Sequence, residues 1–241
     1  MTFILCNSLS VLYNASALIC NNQRNSPPAE MQWLRYSVLA LDERRCINLM
    51  KYCPECGTRL EARWISADAR ERLLCVACDA IRYENPRILV ALMLTCGDRL
   101  LLCRRAQQPS LGAWTPPSGF MERGETLERA AVRETFEEAG VQIDPEKLAL
   151  YTVSSLPTIS EVYVVFRAAA ESDSCRPGSE SLEVGYFNEQ EVPWSQLAFA
   201  EMPNFLRQFF QEHREQKFGI HMSRIEEHGR FHREYRLVTR S

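Results

Sequence analysis

The chain has 241 residues and a mass of 27.8 kDa, enough for one full-sized domain and a small second unit. Hydrophobic residues make up 46% and charged residues 24%, close to globular proteins and far from disordered chains. The 28 basic and 31 acidic residues give a net charge of -3, which excludes a chain-wide basic field attracting nucleic acid or anionic membranes. Nucleic acid is therefore an unexpected partner, and any such contact would have to be local.

The first part of the chain lacks the pattern of a folded domain. Residues 1–23 carry no charge, and Asn and Ser interrupt each apolar run, so the roughly 20 apolar residues of a membrane helix are missing. The positive region of a secretory signal is missing as well. We expect residues 1–49 to be an extension outside the core or the product of an upstream start, because a chain beginning at Met50 would begin shortly before Cys53.

Four of the ten cysteines form two C-x2-C pairs, Cys53 with Cys56 and Cys75 with Cys78, separated by eighteen residues. Two such turns can present four thiolates and complete a closed tetrahedral site for a structural Zn²⁺. The segment 50–86 is too short to bury a core without such a metal. We predict a zinc ribbon there rather than two unrelated pairs, and reduced cysteines indicate the cytoplasm.

From residue 87 the pattern alternates between strands and helices. Apolar runs bounded by turn residues predict strands at 88–96, 99–105, 148–155, 161–169 and 181–187. A helix is predicted from its N-cap Thr126 to Gly140, and a second from Met202 to about Gln216. The tail, 217–241, alternates around FGIHM and EYRLV, which suggests a late hairpin.

The segment that indicates chemistry is residues 119–141, GFMERGETLERAAVRETFEEAGV. On a helix, Glu134, Glu137 and Glu138 fall within an arc of about 100°. Like charges so close are destabilising without a cation, and Mg²⁺ prefers carboxylate and carbonyl oxygens. Taken alone, the three glutamates would more simply form a solvated acidic face.

The whole segment favours a metal site over a solvated acidic face, because it resembles the Nudix box, G-x5-E-x7-R-E-U-x-E-E-x-G-U. It differs in having Thr135 where a bulky aliphatic residue is common. The chain resembles Nudix hydrolases over about residues 50–210. This implies an α/β fold, an α/β/α sandwich with a mixed sheet over 87–216, preceded by the ribbon at 50–86.

The resemblance implies the metal ligands. Glu134 and Glu138 correspond to the principal ligands of Mg²⁺ or Mn²⁺, and Glu137 to a further ligand or the general base. The carbonyl oxygen of Gly119, or that of Ser118, would add one more ligand.

Other positions follow from the same resemblance. Glu125 and Arg133 correspond to braces between the loop and the helix. Ribbon-bearing family members have a further acidic ligand in E-x-x-E-x-x-(aromatic)-(aromatic), which maps onto Glu183, with Glu180 as its neighbour. Glu183 would be a second candidate for the general base. The alternative for it is an ordinary exposed glutamate.

Substrate contacts are suggested more weakly. Arg105, beside Arg104 at a strand end, could bind phosphate oxygens rather than remain solvated. Trp114 and Tyr151 could stack on a flavin or adenine ring, although such aromatics are more often core. Pro157 lies sixteen positions past the box, an offset that the family associates with ADP-ribose.

The expected activity is Mg²⁺-dependent hydrolysis of a diphosphate bond, with FAD (to FMN and AMP) or ADP-ribose as substrate. NADH is disfavoured, because YTVSSLPTISEVY stands where NADH-cleaving members have S-Q-P-W-P-F-P. NAD(H), oxidised dNTPs and RNA 5′ ends remain alternatives. The rival of another class is a nucleic-acid-binding or ligand-sensing protein. The resemblance also suggests a homodimer, and no membrane partner is expected.

Overall fold

The computed structural model describes residues 50–225 and 231–232, so the expectations for residues 1–49 lie outside it. The first part is the ribbon, a three-stranded antiparallel sheet. Its strands are β1 (Leu60–Ile65), β2 (Arg70–Cys75) and β3 (Ile81–Arg82). Its buried cluster is formed by Cys53, Leu60 and Cys75, with Leu73 and Ala80 packed against it. A core this small agrees with the expectation that a metal stabilises the fold.

The larger part is built on a mixed sheet that has nine strands within the described residues. The strands are β4 (Arg87–Cys96), β5 (Arg99–Arg105), β6 (Trp114–Thr115), β7 (Ser118–Phe120), β8 (Ala149–Leu156), β9 (Glu161–Ala169), β10 (Ser181–Phe187), β11 (His221–Ile225) and β12 (Phe231–His232). The main order is β10-β5-β4-β9-β8-β11-β12, with β6 paired to β5 and β7 to β4. The pairs β4–β9 and β8–β11 are parallel and the other pairs are antiparallel.

Within the described residues, two helices cover the two faces of the sheet. Helix α1 (Leu127–Ala139) packs on a core with Val90, Leu92 and Leu101, and helix α2 (Met202–Glu215) packs on a core with Met93 and Leu102. Because side chains alternate along a strand, neighbouring residues of β4 and β5 enter opposite cores. The arrangement is the expected α/β/α sandwich. The part of the chain that the structure describes also has three short 3-10 turns, at Pro145–Lys147, Pro157–Ile159 and Trp194–Gln196.

The predicted elements are confirmed with small changes at their ends. The helix predicted between Thr126 and Gly140 begins and ends at those caps, and the second helix ends at Glu215. The late hairpin is found in part, because β11 and β12 pair antiparallel, while EYRLV lies outside the described residues. None of the described helices is long and apolar enough to span a membrane.

Candidate active site

Helix α1 has well-defined ends that place its acidic face. The Thr126 side chain accepts a hydrogen bond from the backbone N–H of Arg129 at 3.3 Å, as an N-cap does. Gly140 ends the helix with φ 67°, a left-handed conformation that glycine adopts without steric cost. Its N–H donates to the carbonyl of Phe136 at 2.8 Å. The loop before β10 completes this end, since the Gly178 N–H donates to the carbonyl of Glu138 at 3.0 Å.

Two of the three glutamates of the cluster are buried. Glu134 is 8% exposed and Glu138 is 7% exposed. Loss of solvation raises the pKa of Glu134, and it raises that of Glu138 to about 8 even though the Ser118 N–H donates to Glu138 Oε2 at 3.3 Å. Two carboxyl groups held out of water on one helix face are suited to a cation, whose charge would offset the cost of ionising both.

The loop strand β7 approaches these carboxyl groups closely. Gly119 pairs with Val90 of β4, and a Cβ atom at Gly119 would lie 2.1 Å from Glu134 Cδ. Only glycine leaves room for the carboxylate against the backbone at this point. Oxygen atoms from two carboxyl groups and a nearby backbone segment are the donors that Mg²⁺ and Mn²⁺ accept. The residues present therefore fit a hard divalent ion.

Arg133 links the loop to the acidic face. Its Nε and Nη2 donate to the two carboxylate oxygens of Glu125 at 3.2 and 2.8 Å. Its Nη1 donates to Glu134 Oε1 at 2.8 Å and to Glu137 Oε2 at 2.9 Å, and Nη2 also reaches the Phe120 carbonyl at 3.0 Å. The Arg133 guanidinium lowers the pKa of Glu125, and the carboxylates of Glu125 and Glu134 raise that of Arg133. These are the contacts that a brace would make.

Arg105 is close enough to the site for its charge to affect the pKa of Glu138. Its positive charge opposes the rise in the pKa of Glu138, and its Nε donates to the Pro109 carbonyl at 2.8 Å. Burial raises the pKa of Tyr163 on β9, a residue that sequence reasoning missed, and Ser118 is near enough to oppose that rise. Alternation along β9 is visible in the sequence, but the nearness of Tyr163 to Ser118 depends on the pairing of β4 with both β7 and β9.

Glu183 is not brought to the acidic face of α1. It pairs with Arg104 of β5, and Arg104 Nη1 lies 3.5 Å from Glu183 Oε2. Its neighbour Val184 packs in the core beneath α1, so Glu183 points to the other face of the sheet. Glu180, its neighbour in the same motif, is close enough for its charge to help raise the pKa of Glu134. Glu180 is therefore a better candidate than Glu183 for the further acidic ligand.

The expected aromatic contacts need correction too. Tyr151 is fully buried and packs edge-on against Phe209 at 5.3 Å, so its ring has no face for a substrate. Trp114 is also buried, edge-on to Phe187 at 5.0 Å. Both rings belong to the core beneath α2, the commoner environment of such residues. Pro157 is exposed in the turn between β8 and β9.

The four ribbon cysteines meet at one point. Their sulfur atoms all lie within 4.8 Å of one another, with Sγ distances of 3.7 Å for Cys53–Cys78, 3.4 Å for Cys56–Cys75 and 3.7 Å for Cys56–Cys78. Four thiolates around one zinc ion, each about 2.3 Å from the metal, would be roughly 3.8 Å apart. The cluster has the size and the donor set of a structural zinc site.

Comparison with known families identifies both parts of the described chain. Residues 85–212, more than half of the chain, match the family described as NUDIX domain. The chain belongs to the Nudix family. Residues 51–84 match the region described as Nudix N-terminal, the zinc ribbon of these proteins. This Nudix protein therefore combines the two units that the cysteine spacing and the box indicate.

Individual relatives are more distant. NAD-capped RNA hydrolase NudC of Chromobacterium violaceum is 31% identical over 165 residues, which are 68% of this chain and 59% of that protein. The protein of the same name from Stutzerimonas stutzeri is 34% identical over 100 residues, 41% of this chain and 34% of that protein. The chain thus spans 59% and 34% of the lengths of these two relatives. A crystal structure of a NUDIX hydrolase from Nitrosomonas europaea is 40% identical, with a TM-score of 0.70, covering 74% of this chain and 100% of that one.

Proposed function

We propose that this Nudix protein hydrolyses the diphosphate bond of a nucleoside diphosphate linked to a second moiety. The observation that carries the proposal is the pair of buried carboxyl groups of the Nudix box, Glu134 held against Gly119 and Glu138 beside the Ser118 N–H. A merely solvated acidic face would not remove two carboxyl groups from water. A bound cation would offset the cost of ionising both buried carboxyl groups, and the same cation would bind the diphosphate of a substrate.

Glu134 and Glu138 would bind Mg²⁺ or Mn²⁺, with the Gly119 carbonyl as a further oxygen. Such an ion supplies a water of lowered pKa and neutralises phosphate oxygens. Arg133 holds Glu134 and Glu137 in place from the loop side through its bonds to both and to Glu125. These hydrogen bonds restrain the carboxylate oxygens of Glu134 and Glu137.

Proton removal from the attacking water falls to a carboxylate at the edge of the buried pair. Glu137 is half exposed and lies on the same helix face, which favours it as general base. Glu180 is the second candidate for the general base, because its charge helps raise the pKa of Glu134. Glu183 lies on the opposite face of the sheet and pairs with Arg104. Arg105 lies near enough to Glu138 for its charge to oppose the rise in the pKa of Glu138. It is the candidate for binding a phosphate oxygen of the substrate.

FAD or ADP-ribose is the proposed substrate. The tracts LLCRRAQQPSLGAWTPPSGF and PGSESLEVGYF resemble FAD-cleaving ribbon-bearing members, and Pro157 stands at the offset associated with ADP-ribose. Since Trp114 and Tyr151 are buried, the wall for a flavin or adenine ring must come from other residues. We also assign the protein to the cytoplasm, where the four thiolates would stay reduced.

A NAD-linked substrate is the second candidate. The observation in its favour is that the two relatives compared above are named NAD-capped RNA hydrolase NudC. Against it stands the missing S-Q-P-W-P-F-P stretch, replaced here by YTVSSLPTISEVY.

Steady-state kinetics on FAD, ADP-ribose, NADH and 8-oxo-dGTP at one metal concentration separate these candidates. We expect kcat/KM for FAD or ADP-ribose to exceed that for the other two by at least about tenfold, or ~1.4 kcal/mol in transition-state binding. NADH ranking first would select the second candidate. Undetectable hydrolysis of all four with Mg²⁺ and with Mn²⁺ would favour a binding protein instead.

A further inference from the structure

The ribbon sheet has two different faces. Along β1 and β2, Leu60 stands opposite Cys75 and Ala62 opposite Leu73, and this side carries the buried cluster around the cysteines. The intervening residues point the other way. There Arg63 stands opposite Arg72, and Ile65 stands opposite Arg70.

Two tyrosines extend the second side. Tyr52 forms an isolated antiparallel bridge with Arg59, which shares the side of Arg63. Tyr83 directly follows β3, and the Arg72 guanidinium lies 4.9 Å above the centre of its ring. We call this side the arginine–tyrosine face. Its members are Tyr52, Arg59, Arg63, Arg70, Arg72 and Tyr83.

The face is accessible in the part of the chain that the structure describes. Tyr52 is 62% exposed and Tyr83 is 59% exposed. Arg59, Arg63 and Arg70 are exposed as well, and Arg72 is half-buried. Trp64 on the opposite side is 64% exposed, so an exposed ring is not what distinguishes this face; its two rings differ in standing among four arginines.

The charge of the face is positive. Its acidic neighbours are Glu61, which pairs with Arg63 at 2.7 Å, and Asp68, which pairs with Arg72 at 2.9 Å. For Arg59 and Arg70 no ion pair occurs within residues 50–225. Arg63 and Arg72, which stand directly opposite each other, already have these carboxylates, so Arg59 and Arg70 are the arginines of the face that an added anion would pair with.

We propose that the arginine–tyrosine face binds single-stranded nucleic acid. Exposed rings can each stack on a base, and arginines beside them can hold the phosphates that link those bases. An acidic peptide would use the arginines but leave both rings without a partner. The binding would be local to the ribbon, as the overall charge of -3 requires. It does not rest on the proposed hydrolysis.

The test uses the full chain and a fluorescein-labelled oligo(U) of about 15 nucleotides with a 5′ hydroxyl, which contains no diphosphate bond. The test variant is Arg63→Ala/Tyr83→Ala. The matched control is Trp64→Ala/Arg82→Ala, which removes one ring and one arginine from the opposite face of the same sheet. Zinc content and the melting temperature are measured for both.

We expect the wild-type protein and the control to bind alike, and the test variant to bind at least about tenfold more weakly. Binding should weaken with salt, with a slope near -2 if about three phosphates are contacted. If the test variant loses zinc, Arg59→Gln/Arg70→Gln takes its place and should reduce the salt slope.

Three results would overturn the proposal. They are an absence of binding by the wild-type protein at about 50 mM salt, equal losses in test and control variants, and competition by poly-glutamate as effective as that by unlabelled oligo(U). The last would assign the face to an acidic protein instead. Because hydrolysis of FAD or ADP-ribose is measured separately, failure of the activity and failure of this proposal are distinguishable.

Discussion

Glu134 and Glu138 are the residues on which the proposed chemistry depends most. Glu134→Gln or Glu138→Gln keeps the size of the side chain and removes its charge. We expect each change to lower kcat by at least about a hundredfold, because a bound metal ion would lose a charged ligand. The melting temperature should not fall, since a buried carboxyl group is replaced by a neutral amide. Product chromatography and thermal unfolding measure the two quantities.

Glu128→Gln is the control for these variants. Glu128 lies in the first turn of the same helix, so the change alters a glutamate of α1 away from the buried pair. Its kcat should stay within about twofold of the wild-type value. Near-normal turnover in both Glu134→Gln and Glu138→Gln would contradict the metal-site assignment.

Among the elements, the ribbon is the one whose stability depends on a metal. Its buried cluster contains two of the cysteines, so apolar burial by itself is small. We expect one zinc ion per chain by elemental analysis. A strong chelator should make the backbone amides of 51–84 exchange rapidly, while those of β4 and β9 stay protected, because metal binding and folding are coupled.

The zinc prediction has a direct counter-result. Protein purified without chelator that holds less than about half an equivalent of zinc, with all four thiols reactive, would contradict the metal site. Unchanged exchange in 51–84 after the metal is removed would show that the ribbon folds without it.

At the scale of the whole molecule, the family matches leave the first residues unassigned. The matched regions together cover 51–212, and the first zinc ligand is Cys53. We expect a chain that begins at Met50 to keep the melting temperature and turnover of the full chain. The measurement is a side-by-side thermal unfolding and kinetic assay. A fall in either beyond experimental error would show that residues 1–49 contribute to the folded protein.

Several features of the protein could be predicted from the sequence. The ends of α1 follow from Thr126 and Gly140, whose side-chain chemistry and backbone freedom act within one turn. The spacing of the cysteines was sufficient for the ribbon. The box was sufficient for the family, because it is a dense local pattern.

Other features were decided only by the tertiary structure. A register shift between Ser181 and Glu183 turns Glu183 to the far side of the sheet, and nothing in SESLEVGYF marks it. Tyr151 is buried because α2 covers it, and Tyr163 lies near Ser118 because both of their strands pair with β4. The arginines of the ribbon share a face because of the β1–β2 register. Local periodicity sets which residues share one side of an element, but only strand order and register determine what that side meets.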